Sequence, residues 1–433
     1  MKRLMLAGGG TGGHVYPLLA VLEALPAEME VLYLGRGGSV EERLARAHGV
    51  PFSAMPAAAV RGMAPWRLVT NMVRVAAGVG SALRAMRRFR PDAVLVTGGY
   101  VSVPAAIAAR LLGRPLVVCL PDVEPGLAVR ALARLADRVT VSFPEVQRAL
   151  PAGKAVVTGY PVRASFVNGD RAAARARLGV APAERLLVVM GGSTGARNIN
   201  NAVLGALPGL AELAKVFHIT GRLDYERVRA AAEARLAGRT SAGVGDGSEG
   251  RDPGSPEPSS LAPGSHQGAS PQVTAHAGDG LAEGAQRAPA NRPLTCADGR
   301  YRIYSYVENE MADLLRAADL VVARAGAATL GEFPAVGVPS ILVPGSFAGG
   351  HQTLNATYLR DHGAAVIVDD DRLADALLPT VRELFESPQR LTEMAAAARR
   401  LANPQASRAI VAELQRAAQG RSRSGRSGPP QGP

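Results

Sequence analysis

Leu4-Met5-Leu6-Ala7-Gly8-Gly9-Gly10-Thr11-Gly12-Gly13-His14 runs from four apolar residues into a glycine turn, and an apolar helical segment follows. A second stretch of the same design, Leu186-Leu187-Val188-Val189-Met190 into Gly191-Gly192-Ser193-Thr194-Gly195, opens the other half of the chain. Turns of this kind bring bare backbone close to a ligand and aim the unpaired N–H groups of a helix N-terminus at an anion. Two of them in one chain imply two nucleotide-type half-domains facing one cleft.

Working outward, short apolar runs alternate with helical stretches almost throughout. Residues 4–7, 31–34, 93–97, 116–119, 138–141 and 156–158 form one set of expected strands. Residues 186–190, 216–219, 302–303, 320–322, 340–343 and 365–368 form a second. Their hydrophobicity is continuous rather than alternating, as strands buried on both faces require. The expected architecture is therefore α/β, with two Rossmann-like, doubly wound parallel sheets. The first domain is expected to span residues 1–163 and the second 164–403, with a last helix near 405–418.

The chain has 433 residues, 47% of them hydrophobic, which suits two cores. Residues 238–299 are dense in Gly, Ser, Pro, Ala and Asp. Such a composition buries too little apolar surface to order itself and reads as a disordered insertion in a surface loop. The tail 420–433 reads the same way. No apolar run is long enough to span a bilayer, and the glycine run at 8–13 interrupts what briefly imitates a signal peptide. Cys119 and Cys296 show no paired spacing, so neither a disulfide nor a cysteine metal site is expected.

The net charge is +12, and Lys2, Lys154 and Lys215 are the only lysines among 49 basic residues. That arginine bias says little by itself about nucleic acid. From Arg43 to Pro91, however, the chain holds nine arginines and no Asp or Glu, with Met63, Trp66, Leu68, Val69, Met72 and Val73 between them. A basic and apolar strip of this kind suits docking on an anionic bilayer. Single-stranded nucleic acid would want several stacking aromatics, so no nucleic-acid partner is expected.

Residues 8–13 match G-x-G-x-x-G, but a dinucleotide dehydrogenase also wants an acidic residue at the end of the second strand. Here the run ends in Gly35-Arg36-Gly37-Gly38, where Arg36 suits a 2′-phosphate, so an NADP oxidoreductase stays open as an alternative. His14, directly after the turn, is a candidate general base, because imidazole titrates near neutrality and a helix N-terminus favours its neutral form. A third turn, Thr97-Gly98-Gly99-Tyr100, belongs to the same sheet edge and marks a place for a second ligand. In the second half, Arg324-Ala325-Gly326-Ala327-Ala328-Thr329 leads to Glu332, a carboxylate able to accept from ribose hydroxyls, and His351-Gln352-Thr353-Leu354-Asn355 suits sugar hydroxyls. Asp369-Asp370-Asp371 reads as a turn and helix N-cap rather than a metal site. No metal and no cofactor is expected.

Taken together, Gly9-Gly10-Thr11-Gly12-Gly13-His14-Val15-Tyr16-Pro17, Gly98-Gly99-Tyr100-Val101-Ser102, Gly191-Gly192-Ser193-Thr194-Gly195-Ala196-Arg197, Arg324-Ala325-Gly326 with Glu332, and His351-Gln352 with Asn355-Ala356 resemble the MurG family. The resemblance covers nearly the whole chain except the insertion and tail. It implies the GT-B fold, with the last helix returning to the first domain, and transfer of N-acetylglucosamine from UDP-GlcNAc to undecaprenyl-linked lipid I, giving lipid II. It further implies a peripheral enzyme on the cytoplasmic face of the bacterial cell membrane. Another lipid-acceptor transferase or a UDP-sugar epimerase of the same fold is the alternative.

By position, the resemblance implies His14 as base and Thr11, Gly12, Gly13, Asp122, Arg163 and Ser193 as donor contacts. Val307 would hold the uracil, Ala327, Ala328, Thr329 and Glu332 the ribose and diphosphate, and His351 and Gln352 the sugar. Gly98, Gly99 and Tyr100 fall on the acceptor side. One position departs: where many members read His-Glu-Gln-Asn before Pro-Gly-Leu, this chain reads Cys119-Leu120-Pro121-Asp122-Val123-Glu124-Pro125-Gly126-Leu127. Asp122 keeps an acceptor but loses the amide donor.

Overall fold

In the computed structural model the described residues are all but Thr11, 59–64, 193–194, 241–293, 297–298, 309, 346–349 and 425–433. The first half supplies β1 (Arg3–Ala7), β2 (Glu30–Gly35), β3 (Phe52–Ala54), β4 (Ala93–Val96), β5 (Leu116–Leu120), β6 (Arg138–Val141) and β7 (Ala155–Val157). They form one parallel sheet in the order β3-β2-β1-β4-β5-β6-β7. The second half supplies β8 (Leu186–Met190), β9 (Lys215–Ile219), β10 (Leu294–Cys296), β11 (Tyr301–Tyr304), β12 (Leu320–Ala323), β13 (Ser340–Leu342) and β14 (Ala365–Ile367). Their order is β10-β11-β9-β8-β12-β13-β14, parallel except for the antiparallel edge pair β10–β11.

Both sheets therefore reverse strand order beside their first strand, and each central strand is buried on two faces. In β1, Met5 and Ala7 join one apolar cluster while Leu4 and Leu6 join another. In β8, Leu186 and Val188 face the first of these clusters, and Leu187 and Val189 face a third. One cluster thus runs between the two sheets, through Tyr160 and Phe166, and each sheet has an outer cluster of its own. The last helix, Ala406–Ser424, places Ile410, Val411 and Leu414 in the outer cluster of the first sheet. Among the described residues no helix is long and apolar enough to cross a membrane.

Three sequence expectations need correction. Phe52–Ala54 is a strand that the sequence reading left out, since a three-residue edge strand with Ser53 at its middle has no continuous apolar run. Leu294–Cys296 forms β10 inside the stretch read as wholly disordered, because pairing with β11 orders three residues whose neighbours carry no apolar signal. Residues 420–424 continue the last helix rather than the tail. The rest of the insertion, 241–293, and the tail from 425 lie outside the described residues.

Candidate active site

The carboxyl ends of β1, β4, β8 and β12 all open at the reversal points, where an open parallel sheet leaves a crevice for a ligand. Direct contacts hold these edges together across the domains. The Asn355 amide donates to Asp122 at 3.0 Å and its oxygen accepts from the Val123 N–H at 3.2 Å. At another point the Tyr16 and Tyr306 hydroxyls meet at 2.9 Å, and Arg43 pairs with Glu308 at 3.2 Å. The two glycine-rich edges therefore face each other.

On the first domain, Gly10 has a φ of +90°, which a side chain would strain, and a Cβ there would come 3.1 Å from the Tyr100 ring. The turn then enters the helix Gly12–Glu23, whose start carries His14. The third turn makes room for the imidazole: a Cβ on Gly99 would sit 3.3 Å from His14 Cδ2. The Thr97 hydroxyl donates to the His14 carbonyl, tying β4 to this helix.

Glu41 was not anticipated. It is 1% exposed, and its carboxylate accepts from the Gly10 N–H at 3.5 Å and the Arg36 N–H at 3.3 Å. A Cβ on Gly9 would lie 2.5 Å from its carboxyl carbon. A carboxylate at that place takes the Gly10 N–H, which counts against a dinucleotide pyrophosphate at that amide and so against the NADP reading of G-x-G-x-x-G. The available sequence signal was Ser39-Val40-Glu41-Glu42, a helix start whose first turn holds two carboxylates, of which Glu41 reaches the glycine turn and Glu42 the Gly38 N–H.

His14 is partly exposed, but its Nδ1 is buried and has no hydrogen-bond partner among the described residues. Burial lowers its affinity for a proton; the Asp122 carboxylate and the Thr97 backbone oppose this, and His351 adds to the lowering. A neutral imidazole at neutral pH is what a general base needs. His351 opens the helix His351–Asp361 of the second domain and reaches across to the first, so that a Cβ on Gly126 would come 3.7 Å from its Nε2. Its Nδ1 is buried and has no partner among the described residues.

The second domain supplies a turn after β8 in which Gly195 has a φ of +80°, and a Cβ there would stand 2.4 Å from the Thr220 carbonyl oxygen. After β12, Ala327–Leu330 makes one tight helical turn fixed by the Thr329 hydroxyl donating to Gly326 O at 2.8 Å. Glu332 then begins the helix Glu332–Val336 and lies buried, 3.8 Å from Arg163. Burial pushes the Glu332 carboxyl up to about 7, against the pull of Arg163. The Arg163 guanidinium also covers the Tyr16 ring at 4.7 Å, so it touches both domains. Val307 is buried beside Tyr306.

Of the residues read from the sequence, His14 lies against Gly98 and Gly99, while His351 reaches to Gly126 and Asp122 binds Asn355 across the domain junction; Gly12, Gly13 and Tyr100 belong to the turns beside His14. Arg163 and Glu332 form a buried pair next to them, with Ala327, Ala328 and Thr329 in the preceding turn. Gln352 is engaged differently from expectation: its side-chain oxygen accepts from Gly345 N–H at 2.8 Å and shapes the loop before its helix. Asn355 turns to the first domain rather than to the cleft, and Asp370 binds Arg324 at 2.7 Å and Asn198 at 2.8 Å instead of capping a helix. Thr11 and Ser193 lie outside the described residues, as do Arg61 and Met63 of the basic strip.

The profile of the glycosyltransferase family 28 N-terminal domain matches residues 4–141, and that of the family's C-terminal domain matches residues 186–237 and 271–411. A UDP-N-acetylglucosamine–N-acetylmuramyl-(pentapeptide) pyrophosphoryl-undecaprenol N-acetylglucosamine transferase of Roseiflexus sp. (strain RS-1) is 36% identical over 94% of this chain and 93% of its own length. The enzyme of the same description from Desulforudis audaxviator is 35% identical over 94% of this chain and 96% of its own. Among solved structures, MurG of Acinetobacter baumannii superposes with a TM-score of 0.63 at 27% identity, covering 96% of this chain and all of that one. The architecture is GT-B, and the chain belongs to the MurG family of glycosyltransferase family 28.

Proposed function

We propose that the chain moves N-acetylglucosamine from UDP-N-acetylglucosamine to the muramyl sugar of undecaprenyl-pyrophosphoryl-MurNAc-pentapeptide, lipid I, with inversion, forming the β-1,4 link of lipid II. The observation that carries this reading is the junction of two glycine-edged sheets, where His14 lies against Gly98 and Gly99 of the first domain and His351 reaches from the second domain to Gly126 of the first. Neutral His14 takes the proton of the acceptor hydroxyl as that oxygen attacks the anomeric carbon. The bond from that carbon to the diphosphate breaks, and its electron pair leaves with UDP. Residues 1–163 take the acceptor and face the membrane, 164–403 take the donor, and the last helix, Ala406–Ser424, returns to the first domain.

On the donor side, Val307 holds the uracil, and Glu332, with Ala327, Ala328 and Thr329, lies along the ribose and diphosphate. Arg163, Ser193 and the Thr11–Gly13 turn meet the phosphates, and helix N-termini stabilise charge on the leaving group. His351 and Gln352 border the sugar, and Gly98, Gly99 and Tyr100 border the acceptor. The basic and apolar face of the helix Pro65–Phe89 rests on anionic lipid at the cytoplasmic face of the membrane, where the acceptor is anchored.

Thermal shift with UDP-GlcNAc, UDP-glucose and NADPH, followed by transfer onto a lipid I analogue, tests the reading. Stabilisation by the uridine nucleotides and transfer of GlcNAc support it; stabilisation by NADPH alone overturns it. In the same assay His14→Ala should keep its UDP affinity while turnover falls roughly 10²-fold or more.

A further inference from the structure

Behind the turn that follows β8 lies a chain of buried polar side chains. His218, in β9, and Asn200, in the helix Arg197–Leu213 that the turn opens, are both fully buried. The Asn200 Nδ2 donates to the Thr220 carbonyl at 3.0 Å and to Asp224 Oδ2 at 2.7 Å. Both of those oxygens only accept, so it is the Asn200 Oδ1 that faces His218 Nε2, at 3.0 Å, and the Nε2–H donates to it. Burial pushes this imidazole down to about 3. It is therefore neutral, and its Nδ1 accepts from the Tyr301 hydroxyl at 2.8 Å. At the far end Arg227 gives the Asp224 carboxylate two bonds of 2.7 Å, and Arg197, the first residue of the helix, lies 3.7 Å from it. The sense of every hydrogen bond is thus fixed from Tyr301 to the end of β9.

Thr220 is where this chain of bonds meets the turn. β8 and β9 are parallel neighbours with Met190 opposite Ile219, so Gly191 and Thr220 leave the sheet side by side. A Cβ on Gly195 would stand 2.4 Å from the Thr220 oxygen, which puts that carbonyl directly against the Gly195 backbone. The Gly195 N–H in turn donates to Gly192 O at 3.1 Å. An apolar side chain at position 200 or 218 would suit the surrounding core, but it could not hold the carbonyl. We infer that Asn200 is a positioning residue for the donor: locked by His218 and Asp224, it pins the Thr220 carbonyl against Gly195 and so sets the backbone that takes the diphosphate. The inference rests on the glycosyl-transfer reading above.

The test uses the full chain with Asn200→Ala, and His218→Gln and His218→Leu as a second pair, with melting temperature as the check of folding. Gln at 218 offers an amide N–H where the imidazole Nε2–H stood, whereas Leu leaves Asn200 Oδ1 without that donor. UDP and uridine are titrated separately, since the turn meets only the diphosphate. Asn200→Ala and His218→Leu should weaken UDP about 10-fold and leave uridine unchanged, and His218→Gln should stay within about 3-fold of the wild type. Hydrogen exchange of the Gly195 N–H in the ligand-free protein should quicken at least about 10-fold in the two disruptive variants. Equal losses for uridine and UDP, an unchanged UDP affinity, or Leu serving as well as Gln at 218 overturns the inference. An unmoved Gly195 exchange rate overturns it too, whatever the affinities. A wild-type chain that binds no UDP while Gly195 exchange responds to Asn200→Ala would support the pinning of the turn and count against the functional reading instead.

Discussion

The Tyr16 hydroxyl lies 2.9 Å from the Tyr306 hydroxyl, joining the helix that carries His14 to the loop that carries Val307. The proton of Tyr16 is held well above the ordinary phenol range by burial and by Tyr306, so the Tyr16 hydroxyl stays protonated. The Arg43 and Arg222 guanidinium groups cover the Tyr306 ring at 5.5 and 4.6 Å. Tyr306→Phe keeps those ring contacts and removes only the hydroxyl. A hydrogen bond of about 1 kcal/mol corresponds to roughly a 5-fold loss in kcat/KM for the donor. Initial-rate kinetics should show that loss together with a larger share of donor lost to hydrolysis, and unchanged values would show that this contact plays no part in holding the two domains together over the donor.

Glu332 sets a pH dependence of donor binding. Its carboxyl is pushed up to about 7 by burial, so it is largely protonated in the empty cleft below that pH. Ribose hydroxyls donate best to the ionised form. UDP affinity measured by calorimetry should therefore rise between pH 6 and 8, and Glu332→Gln should bind about 10-fold more weakly with a flat profile. The sign for folding is opposite: a carboxyl raised in the folded state contributes stability below its unfolded pKa and loses it as pH climbs through about 7. The melting temperature of the ligand-free protein should therefore fall less steeply with pH in Glu332→Gln.

Gly195→Ala tests the donor turn. The new Cβ faces both a φ of +80° and a carbonyl oxygen at 2.4 Å, so backbone must shift. The cost is about 1–3 kcal/mol, or roughly 2–4 °C of melting temperature per kcal/mol in a domain of this size. Calorimetry should show UDP affinity falling 10-fold or more. A wild-type affinity would mean that the turn does not meet the diphosphate.

How much of this was legible in the chain depends on the physics of each part. β1, β5 and β8 announced themselves because strands covered on both faces must be apolar without interruption. β3 and β10 did not, since three residues at a sheet edge carry too little pattern to outweigh their neighbours. His14, Glu332 and His351 stood out in the sequence because glycine turns and helix starts mark where side chains meet a cleft, whereas Arg163 was picked out only through the family resemblance. Glu41, Tyr16–Tyr306 and the double role of Asn355 were not, because each depends on a partner distant in sequence or on the other domain. The arrangement of the two halves lies in such pairs and in no local periodicity.

On the first domain, Met72 and Val73 are 60% and 65% exposed beside Arg74, and Leu111 on the neighbouring helix is 66% exposed. Burying one such side chain in an apolar phase stabilises by about 1.5–3 kcal/mol. Replacing Met72 and Val73 by Asp should lower cosedimentation with anionic vesicles at least 10-fold while sparing transfer to a soluble acceptor analogue. Raised salt should weaken the wild-type association as well. Equal sedimentation of the variant would place the lipid contact elsewhere.

Thr240 and Leu294 flank the polar stretch at the rim of the second sheet, the first ending the helix Tyr225–Thr240 and the second starting its outermost strand. Three strands, β11, β9 and β8, lie between that edge strand and β12, whose end opens on the crevice. A fluorescent protein spliced between them would be borne on the molecule's shoulder, and the enzyme could be tracked in living cells without a label at either terminus.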